Sequence, residues 1–337
     1  MNENKLILLL SLLIVFTLHS NGYNQYSNNF DRFSLSLSTI NLVNKLSASN
    51  KYPKIDCQLL PISNQKSISA TTKNRRIHRE RLVLSGIGLV GLNIAAYQPF
   101  KQTWWDEERT NFHFYHGWRR TKGNYDFLWG DSYSGHMDKL GHYYSARIIS
   151  EQLTYLSRWI GFSNKTSEWV GPVMSSIFLL EIEFYDGFFK EWGFSLADFA
   201  ANELGAFAPM LLKKIPYSRN FQLKFSYHPS NEPNTEPTFI KDYAGMTFWL
   251  SWDYGSLLPK TLKSWHPEWL NIALGYSVSK YAHGDIEVYL APDINWEKVP
   301  ICKSDTAQFI KKVLNYFHFP CITWKLHPKS KFYALYF

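Results

Sequence analysis

The chain has 337 residues, which is enough for one large domain or two smaller ones. It carries 36 Lys and Arg against 28 Asp and Glu, a net charge of +8. No dense basic block accompanies a nucleic-acid motif, so we expect no nucleic-acid partner. The cysteines Cys57, Cys302 and Cys321 form no CxxC pair. This spacing argues against a cysteine metal site and leaves either one disulfide or free thiols.

Aromatic side chains are unusually frequent. Phe, Trp and Tyr make up 17% of the chain, including 13 Trp and 21 Tyr. Proteins that contact the membrane–water interface use Trp and Tyr in this way, because each ring has an apolar body and a polar edge. The composition therefore indicates a membrane-associated protein.

Residues 1–22 have the composition of a secretory signal peptide. Lys5 supplies a positive start, and the apolar run LILLLSLLIVFTL that follows is short for a membrane-spanning helix. We predict export, with an uncleaved anchor as the alternative. No cysteine follows the run, so we expect no lipid attachment at an N-terminal cysteine.

Residues 23–81 are polar and rich in Asn and Ser, which is typical of a linker. Within them the segment FSLSLSTI, which begins at Phe33, alternates polar and apolar residues. This alternation predicts one possible strand.

A helical region is predicted for residues 82–214. It begins with the apolar run LVLSGIGLVGLNIAAY, residues 82–97. The run is marginal for a membrane span, so we favour a helix that is buried or lies at the membrane interface, with a membrane span as the alternative. Residues 98–135 are aromatic and irregular, and we expect them to cover one end of the helical bundle.

Three further helices carry most of the chemically capable side chains. The first spans about residues 137–159 and the second about residues 168–188. The third begins at Ser195, because Ser195 and Asp198 form an S-x-x-D start signal. Short connections make successive helices antiparallel neighbours. The start of the first, the end of the second and the start of the third therefore meet at one end of the bundle.

Polar residues are expected to converge at that end. Asp138 and His142 lie four residues apart and share one face of their helix. Carboxylates at short range raise one another's pKa, so such a cluster requires a proton, a metal ion or a basic partner. Hard cations accept oxygen ligands, and a histidine oriented by a carboxylate serves as a general base. The candidate site residues are Asp138, His142, Glu183, Asp186, Asp198 and Asn202.

The same residues also have a structural interpretation. Asp198 caps its helix, Asp138 lies favourably at the positive end of its helix, and His142 is an interior histidine with satisfied hydrogen bonds. The pattern leaves open a scaffold, metal or acid–base chemistry, and a binding site without chemistry. It specifies no cofactor and no particular metal. The basic residues close enough in sequence to neutralise carboxylates are Lys139, Arg147 and Lys190.

Residues 221–337 predict an antiparallel β region. Each of six segments places its large apolar side chains on one face, which meets either the helices or lipid. Six strands fall short of the eight of the smallest outer-membrane barrels, although a final strand that ends in an aromatic residue is typical of such barrels. The fold class is therefore α+β, a helical bundle followed by an antiparallel sheet or partial barrel, with membrane association. The segments begin at Phe221, Met246, Trp269, Asp285, Cys321 and Lys331.

Several motifs resemble a known family. DKLGH at Asp138 and DGFFKEWGFSLADFAANELG at Asp186 resemble the predicted periplasmic lipoprotein family that includes YfiM, a domain of unknown function. The resemblance continues through FSYHP, KDYAGMTFWLS and WLNIALGY, which are similar to longer members from the Bacteroidota, and it covers residues 112–290. The helical part also resembles a VanZ-like pattern, D-K-x-x-H followed by an acidic helix and S-x-x-D-x-x-x-N-x-x-G. The matching positions are Asp138, Lys139, His142, Glu183, Ser195, Asp198, Asn202 and Gly205.

The resemblance implies a location in the cell envelope and no agreed activity. Together with the predicted export, it leads us to expect a protein of the outer membrane or periplasm of a Gram-negative bacterium. We expect a structural or interaction role there, with membrane or envelope lipid as the partner and no protein partner identified. The alternative is a hydrolase or transferase that acts on an envelope lipid or glycan through the Asp, Glu and His cluster.

Overall fold

A computed structural model describes residues 76–115, 133–230, 242–280, 284–301 and 304–336. Helices come first along these residues and an antiparallel sheet follows, which confirms the α+β class. The predicted signal peptide, the predicted linker up to residue 75 and its possible strand at Phe33 lie outside the described residues.

The helical region begins with α1, Arg79–Trp104, followed by α2, Met137–Ile160, α3, Asn164–Asp186, and α4, Leu196–Leu212. The last three match the predicted helices to within a few residues at each end. The prediction that residues 98–104 are irregular is wrong, because α1 continues through Pro99 to Trp104. The aromatic rings of Phe100 and Trp104 lie 5.4 Å apart and pack this last part of the helix.

Helix α1 leaves most of its surface uncovered. Leu82 packs against Ile160 and Phe162 at the far end of α2, whereas Ile87 and Leu92 are exposed. Among the described residues, α1 is the one helix that is long and apolar enough to cross a membrane, over Arg79–Gln102. None of the most apolar part of that helix is buried inside the protein. The buried alternative is therefore wrong, because only a narrow stripe of α1 meets the bundle.

Two glycines bring α2 into backbone contact with both of its neighbours. A Cβ atom on Gly205 of α4 would lie 2.1 Å from the carbonyl oxygen of Tyr143, and one on Gly171 of α3 would lie 2.4 Å from that of Ser150. Ser175 of α3 also donates its hydroxyl to the Ala146 carbonyl at 2.8 Å. These close contacts fix the relative positions of the three helices.

The helix starts follow the predicted capping chemistry. Ser195 accepts a hydrogen bond from the Asp198 backbone N–H at 2.9 Å, which confirms the S-x-x-D start signal. Ser163 caps α3 in the same way through Thr166 at 3.0 Å. The turn before Ser163 is only a few residues long and contains Gly161 at φ 108°, a backbone conformation that favours glycine. This short turn makes α2 and α3 antiparallel neighbours, as expected.

The β region is an antiparallel meander, and all of the predicted strand segments are confirmed. Its strands are β1 Phe221–Tyr227, β2 Met246–Trp252, β3 Leu270–Val278, β4 Ile286–Ile294, β5 Cys321–His327 and β6 Lys331–Tyr336, each paired with the next. Two helices interrupt the meander without having been predicted. They are α5, Lys260–Lys263, and α6, Asp305–Leu314.

The sheet is open but strongly curled. Within the described strands, β1 and β6 are edges that do not pair with each other. The Thr247 hydroxyl of β2 nevertheless lies 3.2 Å from the Tyr336 hydroxyl of β6, and Lys224 of β1 reaches Asp293 of β4. Side chains from strands that are not neighbours therefore meet inside the curl.

The face of the sheet that turns inward carries the charged and polar side chains together with a buried aromatic cluster around Trp249 and Tyr289. Lys224 and Ser251 are fully buried, whereas Leu250 and Leu274 are 45% and 47% exposed. Only part of the apolar face is covered, where Phe248 and Val278 join a core with Met137 and Tyr144 of α2. The prediction that this face meets the helices therefore holds for that part alone, and the rest of the face points away from the protein.

Candidate functional site

The predicted polar cluster forms at the expected end of the bundle. The first turns of α2 contribute Asp138 and His142, the end of α3 contributes Glu183, and the start of α4 contributes Asp198 and Asn202. The antiparallel arrangement of α2 and α3 and the serine cap of α4 bring these positions together. The spacing of the sequence was therefore sufficient to place five of the six candidate residues in one hydrogen-bonded and charged cluster.

His142 lies between two carboxylates. Its Nδ1 atom is 3.1 Å from the Asn202 amide oxygen and 3.5 Å from Oε1 of Glu183, while Nε2 is 3.6 Å from Oδ1 of Asp198. Asn202 in turn donates its amide N–H to Glu183 at 3.2 Å. The His142 side chain is 30% exposed and that of Glu183 only 2%, so the imidazole is the part of the cluster that meets the exterior.

Lys139 is the basic partner that the carboxylates require. Its buried Nζ atom lies 3.0 Å from Oδ2 of Asp138 and 2.9 Å from Oδ1 of Asp198. Burial raises the pKa of Asp198, but the nearby His142 and Lys139 outweigh burial and hold it below its usual value. Asp198 therefore stays charged, and one ammonium group serves two carboxylates.

Burial shifts the pKa of two other carboxyl groups in the cluster upward. Burial raises the pKa of Asp138 above its usual range, although Lys139 opposes the shift. Burial also raises the pKa of Glu183 well above its usual value, and the like charges of Asp198 and Asp186 add to the shift. The ammonium of Lys139 therefore compensates part of the negative charge of the cluster, and burial makes the charged form of Glu183 costly.

Asp186 lies apart from this network, under the aromatic segment that follows α1. Its Oδ1 atom accepts a hydrogen bond from the Trp105 indole N–H at 2.7 Å, and burial raises its pKa to about 7. The Thr110 N–H donates to the Phe188 carbonyl at 2.8 Å, and the His113 N–H donates to that of Gly187 at 2.9 Å. The described part of the aromatic segment therefore covers the bundle end as predicted, and Asp186 binds this cover rather than His142.

Part of the helical region is similar to a known family. Residues 127–214 match the model of the predicted periplasmic lipoproteins, DUF2279. The match covers α2 to α4 and hence the whole polar cluster, and its description agrees with the expected location in the cell envelope. The finer resemblances to YfiM, to Bacteroidota members and to the VanZ-like pattern remain expectations. No curated protein and no solved structure matches the chain.

The cluster has the ligand types of a cation site, but its charges compete with an ion. One ligand atom from each of His142, Glu183 and Asp198 lies within 4.8 Å of the others, and imidazole with carboxylate oxygens suits several divalent metals. The ammonium of Lys139 already contacts Asp198, however, and a metal ion would have to displace it. The arrangement therefore fits a structural or acid–base role better.

Two cavities are found elsewhere in the described residues. One of about 540 Å³ lies between α2, α4, β1 and α6, and one of about 40 Å³ lies between α1 and the ends of α2 and α3. No residue of the cluster lines either of them. The exposed part of the His142 side chain gives solvent access to the cluster.

A second polar network, inside the curled sheet, was not predicted. Lys224 lies 2.7 Å from Asp293, which also accepts from Ser251 at 2.6 Å and lies 2.9 Å from Nδ1 of His318. Asn271 donates to Ser251 at 2.9 Å. The alternation of the strands indicated a polar face, but it gave no sign that this face is the inner one.

Proposed function

We propose that the protein is a structural component of the outer envelope that contacts the lipid bilayer through the outward apolar face of its sheet. The observation that carries this proposal is one continuous row of apolar side chains across all of the described strands. Cross-strand pairing places each member beside the next. The row consists of Leu223, Leu250, Leu274, Leu290, Trp324 and Phe332.

The opposite face of the same strands supports this orientation. A sheet in water buries its apolar side chains and exposes its polar ones. Here Lys224, Asp293 and His318 are buried inside the curl, and the apolar row is exposed from Leu250 in β2 to Phe332 in β6. Polar-in and apolar-out alternation is typical of β structure in membranes, because the hydrocarbon takes the place of the protein core.

The ends of the face support lipid as the occupant. Phe221 and Trp252 stack with their ring centroids 6.1 Å apart and their planes 7° apart at one end of β1 and β2, and the Trp324 indole donates to Ser330 beside the β5–β6 turn. Aromatic rings with a polar edge suit the boundary between hydrocarbon and head groups. The exposed helix α1 supplies a second apolar surface of the kind that lies at such a boundary.

In this proposal the polar cluster is a structural element. It connects the starts of α2 and α4 with the end of α3 through buried ion pairs and hydrogen bonds. The bundle in turn packs on the covered part of the sheet through Met137 and Tyr144. The cluster thereby stabilises the orientation in which the uncovered part of the sheet faces the bilayer.

Flotation of the purified full chain with neutral phosphatidylcholine vesicles tests the proposal. We expect the protein to float, and we expect Leu250→Glu with Leu290→Glu to weaken vesicle binding about 100-fold, because two half-exposed leucines lose their transfer from water. The matched control, Asn164→Glu with Thr261→Glu, introduces two glutamates at exposed positions of α3 and α5. It should float like the native chain.

Two results would overturn the proposal. One is equal flotation of the native chain and the leucine double variant. The other is a native chain that is a dimer by sedimentation and a leucine variant that is a monomer, with no difference in flotation. The face would then bind a second copy of the chain. Thermal melts of all variants in detergent separate these results from loss of folding.

A second candidate function follows from the exposure of His142. An imidazole held between Glu183 and Asp198, with one edge open to the exterior, suits a general base for a hydrolase or transferase that acts on an envelope lipid or glycan. If His142 serves such chemistry, His142→Ala should leave the melting temperature nearly unchanged. It should also abolish the turnover of an envelope lipid extract, which mass spectrometry measures. A large drop in melting temperature with no turnover in either protein would count against an enzyme.

A further inference from the structure

A cavity of about 540 Å³ separates the helical bundle from the edge of the sheet. Its walls include the outer part of α2, the start of α3, the end of α4, the start of β1 and the end of α6. The volume lies within the range of sites that bind small molecules. The polar cluster lies outside its walls, so any ligand here is independent of His142.

The cavity walls carry more positive than negative charge. Two of the carboxylates are engaged, since Glu151 lies 3.0 Å from Arg147 and Glu168 lies 2.9 Å from Lys213 and 3.5 Å from Arg158. The remaining acidic residue of the wall is Glu297. The basic residues of the wall are Arg147, Arg158, Lys213, Arg219 and Lys312.

Within the described parts of the chain, two of these cations form no direct ion pair with a carboxylate. Arg219 is exposed at the rim and makes no ion pair with any residue that the structure describes. Lys312 lies 4.4 Å from the centre of the Tyr155 ring. Burial lowers the pKa of Lys312, although the charge of Glu151 opposes the shift. A bound anion would stabilise both groups, and guanidinium groups bind phosphate oxygens with particular geometric fit.

The cavity also has apolar lining residues. They include Leu212, Phe221 and Leu223, and the ring of Phe221 stacks on Trp252 of the exposed sheet face. Leu223 is also the first member of the apolar row across the strands. The cavity therefore opens directly onto the surface that we assign to the bilayer.

We propose that this cavity binds the phosphate-bearing head group of an anionic amphiphile, whose acyl chains leave over Phe221 onto the apolar face of the sheet. The inference rests on the proposed function for the direction of the chains. The head-group site itself depends only on the charges and shape of the cavity. A free phosphate shares the chemistry of the head group, so the test includes both.

Calorimetric titration of the full chain in neutral detergent micelles tests this proposal without a bilayer. The ligands are dihexanoyl phosphatidylglycerol, dihexanoyl phosphatidylcholine and inorganic phosphate. We expect binding of the phosphatidylglycerol, with at least tenfold weaker binding of the other two. Arg219→Ala with Lys312→Ala should weaken it about tenfold. The control Lys260→Ala with Lys263→Ala removes the same charge from an exposed helix outside the cavity and should change nothing.

A third variant tests the sign of the effect. Glu168→Gln releases Arg158 and Lys213 from their acid and should tighten binding about threefold. Equal binding of the two lipids, equal binding of inorganic phosphate, or no change in the Arg219 and Lys312 variant would overturn the proposal. The titration is made in micelles, so its result does not depend on whether the protein floats with vesicles. The two proposals can therefore fail separately.

Discussion

The Nζ atom of Lys139 lies 2.9 Å from Oδ1 of Asp198 on the neighbouring helix, with the two side chains 4% and 14% exposed. This buried ion pair connects α2 to α4 at the end of the bundle where the family match and the polar cluster coincide. Its removal leaves two carboxylates, those of Asp138 and Asp198, without their cation.

Replacement of this lysine should therefore be costly. We expect Lys139→Met to lower the free energy of unfolding by about 3–5 kcal/mol, because it breaks a buried pair on one side only. Lys190→Met removes a lysine from an exposed pair with Glu108 and should cost less than about 1 kcal/mol. Chemical denaturation in detergent measures both. Similar values for the two variants would contradict a structural role of the cluster.

Asp186 should make stability depend on pH. Burial raises its folded-state pKa to about 7 from the usual 3.8, so the folded protein binds more protons than the unfolded chain between these values. Stability is therefore lost as the pH rises from about 4 towards 7. Asp186→Asn keeps an acceptor for the Trp105 indole but cannot ionise.

Between pH 5 and pH 8, we expect the free energy of unfolding to fall by about 2 kcal/mol less in Asp186→Asn than in the native chain. Unfolding curves at the two pH values give the difference. The control is Asp305→Asn at an exposed position in α6, which should follow the native pH dependence. A native-like pH dependence in the Asp186 variant would show that this carboxyl group is already ionised in the folded protein.

The addition of one methyl group between α4 and α2 should disturb their close packing. A Cβ atom on Gly205 would lie 2.1 Å from the backbone oxygen of Tyr143, whereas one on Gly141 would have nothing within 4 Å. Gly205→Ala should destabilise the protein by about 1–3 kcal/mol. Gly141→Ala lies in the same pair of helices and should stabilise it by up to about 1 kcal/mol. Equal melting temperatures for the two variants would count against this packing.

The network inside the sheet should also depend on its lysine. Lys224 is fully buried against Asp293 and donates to the Ile294 carbonyl at 2.6 Å. Lys224→Met leaves Asp293 buried without its cation, so we expect a loss of about 3–5 kcal/mol. Lys331→Met, at an exposed position in β6, should cost less than about 1 kcal/mol. A tolerated Lys224→Met would mean that the inner face of the sheet is open to water.

Much of this arrangement could be predicted from local patterns. The i, i+4 spacing of Asp138 and His142, the S-x-x-D cap and the short turn between α2 and α3 are local, and together they placed the cluster. Period-two alternation likewise gave all of the strands. Alternation cannot tell which face turns inward, because that depends on the curl that brings Thr247 of β2 to Tyr336 of β6.

Contacts between distant segments were also beyond the sequence pattern. The bond from Trp105 to Asp186 joins residues far apart in the chain, and no periodicity encodes it. Lys139 was recognised only as one of several nearby cations, since its position between Asp138 and Asp198 depends on the packing of α2 against α4. Helix α6 was missed although Ser304 caps it through the Ala307 N–H at 3.2 Å.

The most direct test of the account is the environment of Leu274 in a bilayer. A nitroxide attached to Leu274→Cys, with Cys57, Cys302 and Cys321 replaced by serine, reports collisions with oxygen and with a water-soluble nickel chelate in reconstituted vesicles. We predict high oxygen and low nickel accessibility at this position, and the reverse at the control Asn164→Cys. Nickel accessibility at Leu274→Cys as high as at the control would contradict contact between this face and lipid.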